Sequence, residues 1–106
     1  MVNIPSPYKE ELHTALCAVK AEERVGNVGI CRCVRIELYD AFTYEGDLES
    51  AMWYLTEAML AWPKRFNDRA YPVGGYDEYI DEDKAGTIWQ NPRRLELLDY
   101  LIEQTA

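Results

Sequence analysis

The strongest constraint on this fold is an apolar stripe that ends on a proline. Leu48, Ala51, Met52, Leu55, Met59 and Trp62 recur every three or four residues, and Pro63 follows at once. Such spacing lines one side of an α-helix, because residues at i, i+3, i+4 and i+7 share a face. Proline disfavours helical backbone at the residue before it, so the helix stops near Trp62. Asp47 suits the N-cap, and Glu49 in the first turn complements the positive end of the helix dipole. Trp53 and Tyr54 lie off the stripe, so part of the helix's aromatic surface faces something other than its main partner. A one-faced helix must bury that face against other elements, and the rest of the chain has to supply them.

Two more stripes meet this need. Leu12, Ala15, Leu16 and Val19 predict a first helix, opened by Ser6 as N-cap with Pro7 at N1 and ending near Arg24, before Gly26. Glu10 and Glu11 early and Lys20 late agree with the dipole. Leu95, Leu98, Leu101 and Ile102, widened by Leu97, predict a last helix with the same opening at Asn91-Pro92. Residues 30–42 read two ways. Ile30, Val34, Leu38 and Phe42 make a helical stripe; Val34, Ile36 and Leu38 alternate with Arg35 and Glu37 as in a strand. A lone strand has nothing to pair with, so a helix is expected. Residues 1–5 read as a loose arm, Val25-Gly26-Asn27-Val28-Gly29 as a turn and Thr43-Tyr44-Glu45-Gly46 as a loop. The expected fold is all-α: one domain of four helices in 106 residues, with a long ordered loop between the third and fourth.

That loop, residues 63–91, has neither helical nor strand period. Its length exceeds what a connector needs, and loops of this size in small domains are usually functional or disordered. It contains Tyr71-Pro72-Val73-Gly74-Gly75-Tyr76 and the acidic run Asp77-Glu78-Tyr79-Ile80-Asp81-Glu82-Asp83. Gly74-Gly75 is a turn; no Gly-Lys-Ser/Thr follows it, as a phosphate loop requires. A calcium loop needs Gly at its sixth position and Glu at its twelfth. Counting from Asp77 puts Glu82 at the sixth position, and counting from Asp81 puts Pro92 at the twelfth. The run therefore reads as a solvated acidic surface or, more sharply, as a partner-binding strip. In the second reading Tyr76, Tyr79 and Trp89 supply anchors, and Asp77, Glu78, Asp81, Glu82 and Asp83 complement a basic surface. Arg93 and Arg94 sit where the helix dipole opposes them. Two arrangements compensate: a clamp onto the upstream carboxylates, which arginine forks suit, or an external anion held with the free N–H groups. The clamp is preferred because its acidic partner is close in sequence.

Charge narrows the class of partner. Nineteen acidic residues against eleven basic give a net charge of −8. This opposes general nucleic-acid binding and adhesion to anionic membranes. It is compatible with plain solubility, or with competition against nucleic acid for a basic groove on another protein. Met1-Val2-Asn3-Ile4-Pro5 lacks the charged and apolar regions of a secretory signal, and no apolar run reaches membrane-spanning length. Cytoplasmic residence is expected, with three cysteines that form no disulfide framework.

His13 and Cys17 share a helix face at i and i+4, and Cys31-x-Cys33 could add two zinc ligands. That spacing departs from the common C-x₂₋₄-C pairs, and on a helix the two cysteines diverge by about 200°. Small buried core residues are the plainer reading. A Cys–His nucleophilic pair finds no oxyanion-hole glycine beside any cysteine. Nothing in the sequence places two of Glu37, Asp40, Glu45 and Glu49 together in a cleft, so no catalytic residue, metal or cofactor is assigned.

Several features recur together: Gly29-Ile30-Cys31 after an apolar helix, a Trp near the end of an amphipathic one, Tyr71-Pro72-x-Gly74-Gly75, Trp89, and Arg94-Leu95-x-Leu97-Leu98-x-Tyr100-Leu101-Ile102-Glu103. This order resembles a loose group of short, acidic, helical bacteriophage-encoded proteins of unassigned function. Cys31-Arg32-Cys33 and the β-branched run depart from the group's more plainly helical second segment. The resemblance implies a non-enzymatic phage or prophage protein, in the host cytoplasm, that binds a host or phage protein. One form of this is an inhibitor whose acidic surface occupies a nucleic-acid enzyme's basic groove. The surface expected to bind is the 71–89 loop together with Trp53 and Tyr54. The alternatives are a small zinc module or enzyme on His13, Cys17, Cys31 and Cys33, and a homo-oligomer with Trp53 and Tyr54 buried between copies.

Overall fold

A computed structural model describes the backbone of residues 3–22, 30–62 and 92–106, with the side chains of all but 92–94. Within these residues the chain forms four helices and no strand: α1 (Tyr8–Glu22), α2 (Ile30–Leu38), α3 (Glu45–Leu60) and α4 (Pro92–Thr105). The fold is all-α, as the stripes predict. α1 packs against the three other helices, α2 and α4 each contact α3, and one apolar core lies between them.

Each stripe faces that core. Leu12, Ala15, Leu16 and Val19 are buried on α1, and Leu48, Ala51, Met52, Leu55 and Met59 on α3. Trp62, just past the end of α3, is buried as well, and Leu97, Leu98 and Leu101 close the core from α4. Fully burying one such side chain stabilises by roughly 1.5–3 kcal/mol, so the stripes rather than helix propensity hold the fold. The ambiguous second segment is helical, and Ile36 decides why. A strand would place it beside Val34 and Leu38, but Ile36 is 39% exposed while Ile30, Val34 and Leu38 are buried. The helix ends at Leu38, earlier than the stripe alone suggests, and a turn carries the chain to Phe42, which still packs against the core.

Three local expectations are corrected. The arm preceding α1 is not loose throughout: Ile4 is buried at 7% exposure, because a branched apolar side chain next to the core gains by filling it. Ser6 does not cap a backbone N–H. Its hydroxyl donates to the Glu10 carboxylate at 2.7 Å, one helical turn away, and this contact holds Glu10 below the usual carboxylate range. The α3 N-cap is Tyr44, with extended backbone and no side-chain cap bond, and Asp47 stands inside the first turn. Its carboxylate is engaged by another helix, as described below. The Tyr44 ring lies over Gly46, where an added Cβ would fall 2.3 Å from it, so the close approach at this helix start depends on glycine.

α4 opens on Pro92, in keeping with proline at N1. Arg93 and Arg94 occupy its first turn, which contains no acidic residue. Their side chains and the acidic run lie outside the described residues, and so does the proposed clamp. α1 and α4 are joined at the surface by Lys20 and Asp99, an exposed ion pair of a kind that contributes about 0–1 kcal/mol.

Candidate functional site

The fold brings four aromatic rings from three segments into one row. Tyr8 opens α1, Phe42 precedes α3, and Trp53 and Tyr54 lie in the middle of α3, off its buried stripe. Tyr8 stacks on Tyr54 with ring centroids 5.5 Å apart and meets Phe42 at 5.8 Å. Tyr54 in turn receives Trp53 edge-on at 5.1 Å and 79°. These are the offset and T-shaped arrangements that aromatic quadrupoles favour. Tyr8, Phe42 and Tyr54 are partly buried against the core, whereas Trp53 is 57% exposed. The row therefore runs from the core edge to a large indole in solvent whose orientation is fixed from one side.

A hydrogen bond fastens the row. The Tyr8 hydroxyl donates to Asp47 Oδ1 at 2.9 Å, so the carboxylate anticipated as a cap instead links α3 to α1. This bond holds the Tyr8 phenol above its ordinary range; partial burial and the Asp47 charge push the same way, and a hydrogen bond with Ser50 pulls back. A raised folded-state value makes the stabilisation complete below the ordinary tyrosine range, near 10, and removes it as pH rises through the folded value. Tyr8→Phe should therefore destabilise at neutral pH, and its deficit relative to wild type should shrink above about pH 10. Urea titrations of both chains at pH 7 and pH 11 check this. A deficit unchanged between the two would remove the bond from the account.

The ground around Trp53 is acidic. α3 carries Glu45, Asp47, Glu49 and Glu57 and no Lys or Arg. Glu49 and Glu57 stand one turn before and after Trp53 on the same helix face. Arg35 of α2 grips Glu49 with both fork nitrogens, at 2.8 and 3.2 Å. The pair keeps Glu49 below the usual carboxylate range and Arg35 above its own. Both partners are substantially exposed, so the pair sets the position of Glu49 more than it adds stability. Tyr39 and Tyr44 add exposed rings in the segment leading into α3, at 60% and 70% exposure.

The other candidates separate. His13 and Cys17 meet, with Cys17 Sγ 3.6 Å from His13 Nε2. Cys33 is fully buried in the core, and Cys31 Sγ donates to the Met59 thioether at 3.6 Å. Among the described residues no three His, Cys, Asp or Glu side chains converge as metal ligands, so the four zinc candidates are not gathered into one site. Tyr76, Asp77, Glu78, Tyr79, Asp81, Glu82, Asp83 and Trp89 lie outside the described residues. Tyr8 and Phe42 were not foreseen as parts of this surface. The only signal for Tyr8 is an aromatic residue immediately after the helix-opening proline, which does not specify a partner.

No protein-family model, curated protein or solved structure matches the chain. No helix among the described residues is long and apolar enough to cross a membrane.

Proposed function

We propose that this chain is a non-enzymatic interaction protein that seats Trp53 in an apolar pocket, bordered by basic residues, on another protein. The observation that carries the reading is the combination at Trp53: an indole more than half exposed, oriented by Tyr54, which is itself stacked on Tyr8. An exposed tryptophan fixed before binding loses little side-chain entropy on docking, and tryptophan leads the residues that dominate binding energy. Glu57, one turn after Trp53, and the chain's net charge of −8 favour a basic rim on the partner, whereas Glu49 is already paired with Arg35. The same charge disfavours a second copy as the occupant, since two chains of net charge −8 repel as they approach.

The resemblance to short acidic phage proteins favours a host or phage protein as the partner. A basic nucleic-acid groove is the surface to which this charge is best suited. The experiment is affinity capture from bacterial lysate with wild type and Trp53→Ala in parallel, with added salt and added DNA as competitors. The reading expects a protein recovered by wild type, lost with Trp53→Ala and weakened by salt; displacement by DNA identifies the groove. Equal recovery by both chains would overturn it. So would light scattering that shows a wild-type dimer dissociated by Trp53→Ala.

A further inference from the structure

Cys17, His13 and Thr105 form a directional relay that the aromatic surface does not use. His13 Nδ1 lies 3.1 Å from Thr105 Oγ1, and His13 Nε2 lies 3.6 Å from Cys17 Sγ. The threonine fixes the direction. Its single hydroxyl hydrogen is donated to the Leu101 carbonyl at 2.8 Å, with Ile102 O at 3.2 Å sharing it. With that hydrogen on its shortest contact, Thr105 Oγ1 accepts from His13, the tautomer that puts the neutral ring's proton on Nδ1 and its lone pair on Nε2. That lone pair faces the Cys17 thiol. A thiol within reach of a base, with the base oriented by a third group, is the arrangement of an activated nucleophile. Thr105 is 3% exposed and lies on α4, so the packing of α1 on α4 holds the relay. Cys17 is partly exposed, so a reagent in solvent can reach it.

We propose that Cys17 is a thiol–disulfide exchange site that takes low-molecular-weight disulfides, with His13 as its base and Thr105 as a positioning residue. His13 Nε2 accepts the Cys17 proton, and the thiolate attacks one sulfur of the disulfide. The new bond joins Cys17 Sγ to that sulfur as the old S–S bond breaks. The departing thiolate takes the proton back from the imidazolium and leaves as a free thiol. Cys17 is oxidised to a mixed disulfide, and the departing sulfur is reduced. Attachment at this point adds bulk beside the α1–α4 junction and does not involve the rings around Trp53.

The other thiols act as internal references. Cys33 is fully buried and reacts only when the chain opens. Cys31 is the competitor, since it is partly exposed like Cys17. The native chain is treated at neutral pH with glutathione disulfide, and each cysteine is followed by peptide mass spectrometry. Cys17 is expected to be modified first. In His13→Gln, with helix content verified, the Cys17 rate should fall several-fold, up to the limit of about 30-fold set by the few per cent thiolate an ordinary thiol holds near pH 7, while the Cys31 rate stays unchanged. Thr105→Val should slow Cys17 by a smaller factor and reduce the Cys17-to-Cys31 ratio. Modification of Cys31 first in the wild-type chain would overturn the proposal without any variant. A Cys17 rate unchanged in folded His13→Gln would overturn it as well.

Discussion

Leu55→Ala is expected to remove a large part of the stability of this fold. Leu55 is fully buried at the centre of α3, the helix that packs against all three others. Cutting leucine to alanine in a packed core costs about 2–5 kcal/mol, from lost transfer energy plus the cavity left behind. A domain of this size has on the order of 5–10 kcal/mol in total. Urea unfolding followed by far-UV circular dichroism should show the midpoint falling with an unchanged slope. Leu60→Ala on the same helix removes the same atoms from a position 37% exposed and should stay within about 0.5 kcal/mol. Equal losses at the two positions would mean that α3 does not bury the face assigned to it.

The second large effect is in binding and is separable from the first. Trp53→Ala should weaken partner capture by on the order of 30-fold or more, which is what loss of a central anchor worth about 2 kcal/mol produces. Stability should change by less than about 1 kcal/mol, because the side chain that is removed faces solvent and contacts one ring edge-on. Trp53→Phe should fall between the two, since a smaller ring can still meet Tyr54. The diagnostic pattern is thus affinity lost with the unfolding midpoint kept. Leu55→Ala should give the reverse, lowering capture only through the unfolded fraction. A Trp53→Ala chain that loses stability and affinity together would turn Trp53 into a structural residue.

These two positions also mark what could be read from the chain and what could not. Leu55 and its neighbours on the stripe were legible because burial of one helical face imposes a period on the sequence. Trp53 was legible as its exception, an aromatic residue that the period leaves outside the core. The helix starts were less legible. Asp47 has the chemistry of a cap, but the Tyr8 hydroxyl competes for its carboxylate across 39 positions of sequence. Ser6 is likewise taken by Glu10. Contacts of this kind depend on which faces meet in three dimensions, and a local pattern carries no record of them. The relay through Thr105 is the extreme case. His13 and Cys17 are visible at i and i+4, yet the residue that orients the imidazole is 92 positions away. The apolar period overruns the end of α2 for a related reason. Phe42 extends the apolar period and reaches the core from a turn instead of from the helix.

We propose that another protein sits on the face around Trp53. This is tested most directly by placing a photoreactive benzoyl-phenylalanine at position 53 and irradiating cells that express the full chain. A second chain carrying the same group at Ala21, an exposed site on α1, serves as the control. A covalent adduct with a protein other than this chain is expected at position 53, and none at position 21. The absence of an adduct at position 53, equal labelling at both positions, or cross-linking only to a second copy of the chain would contradict it.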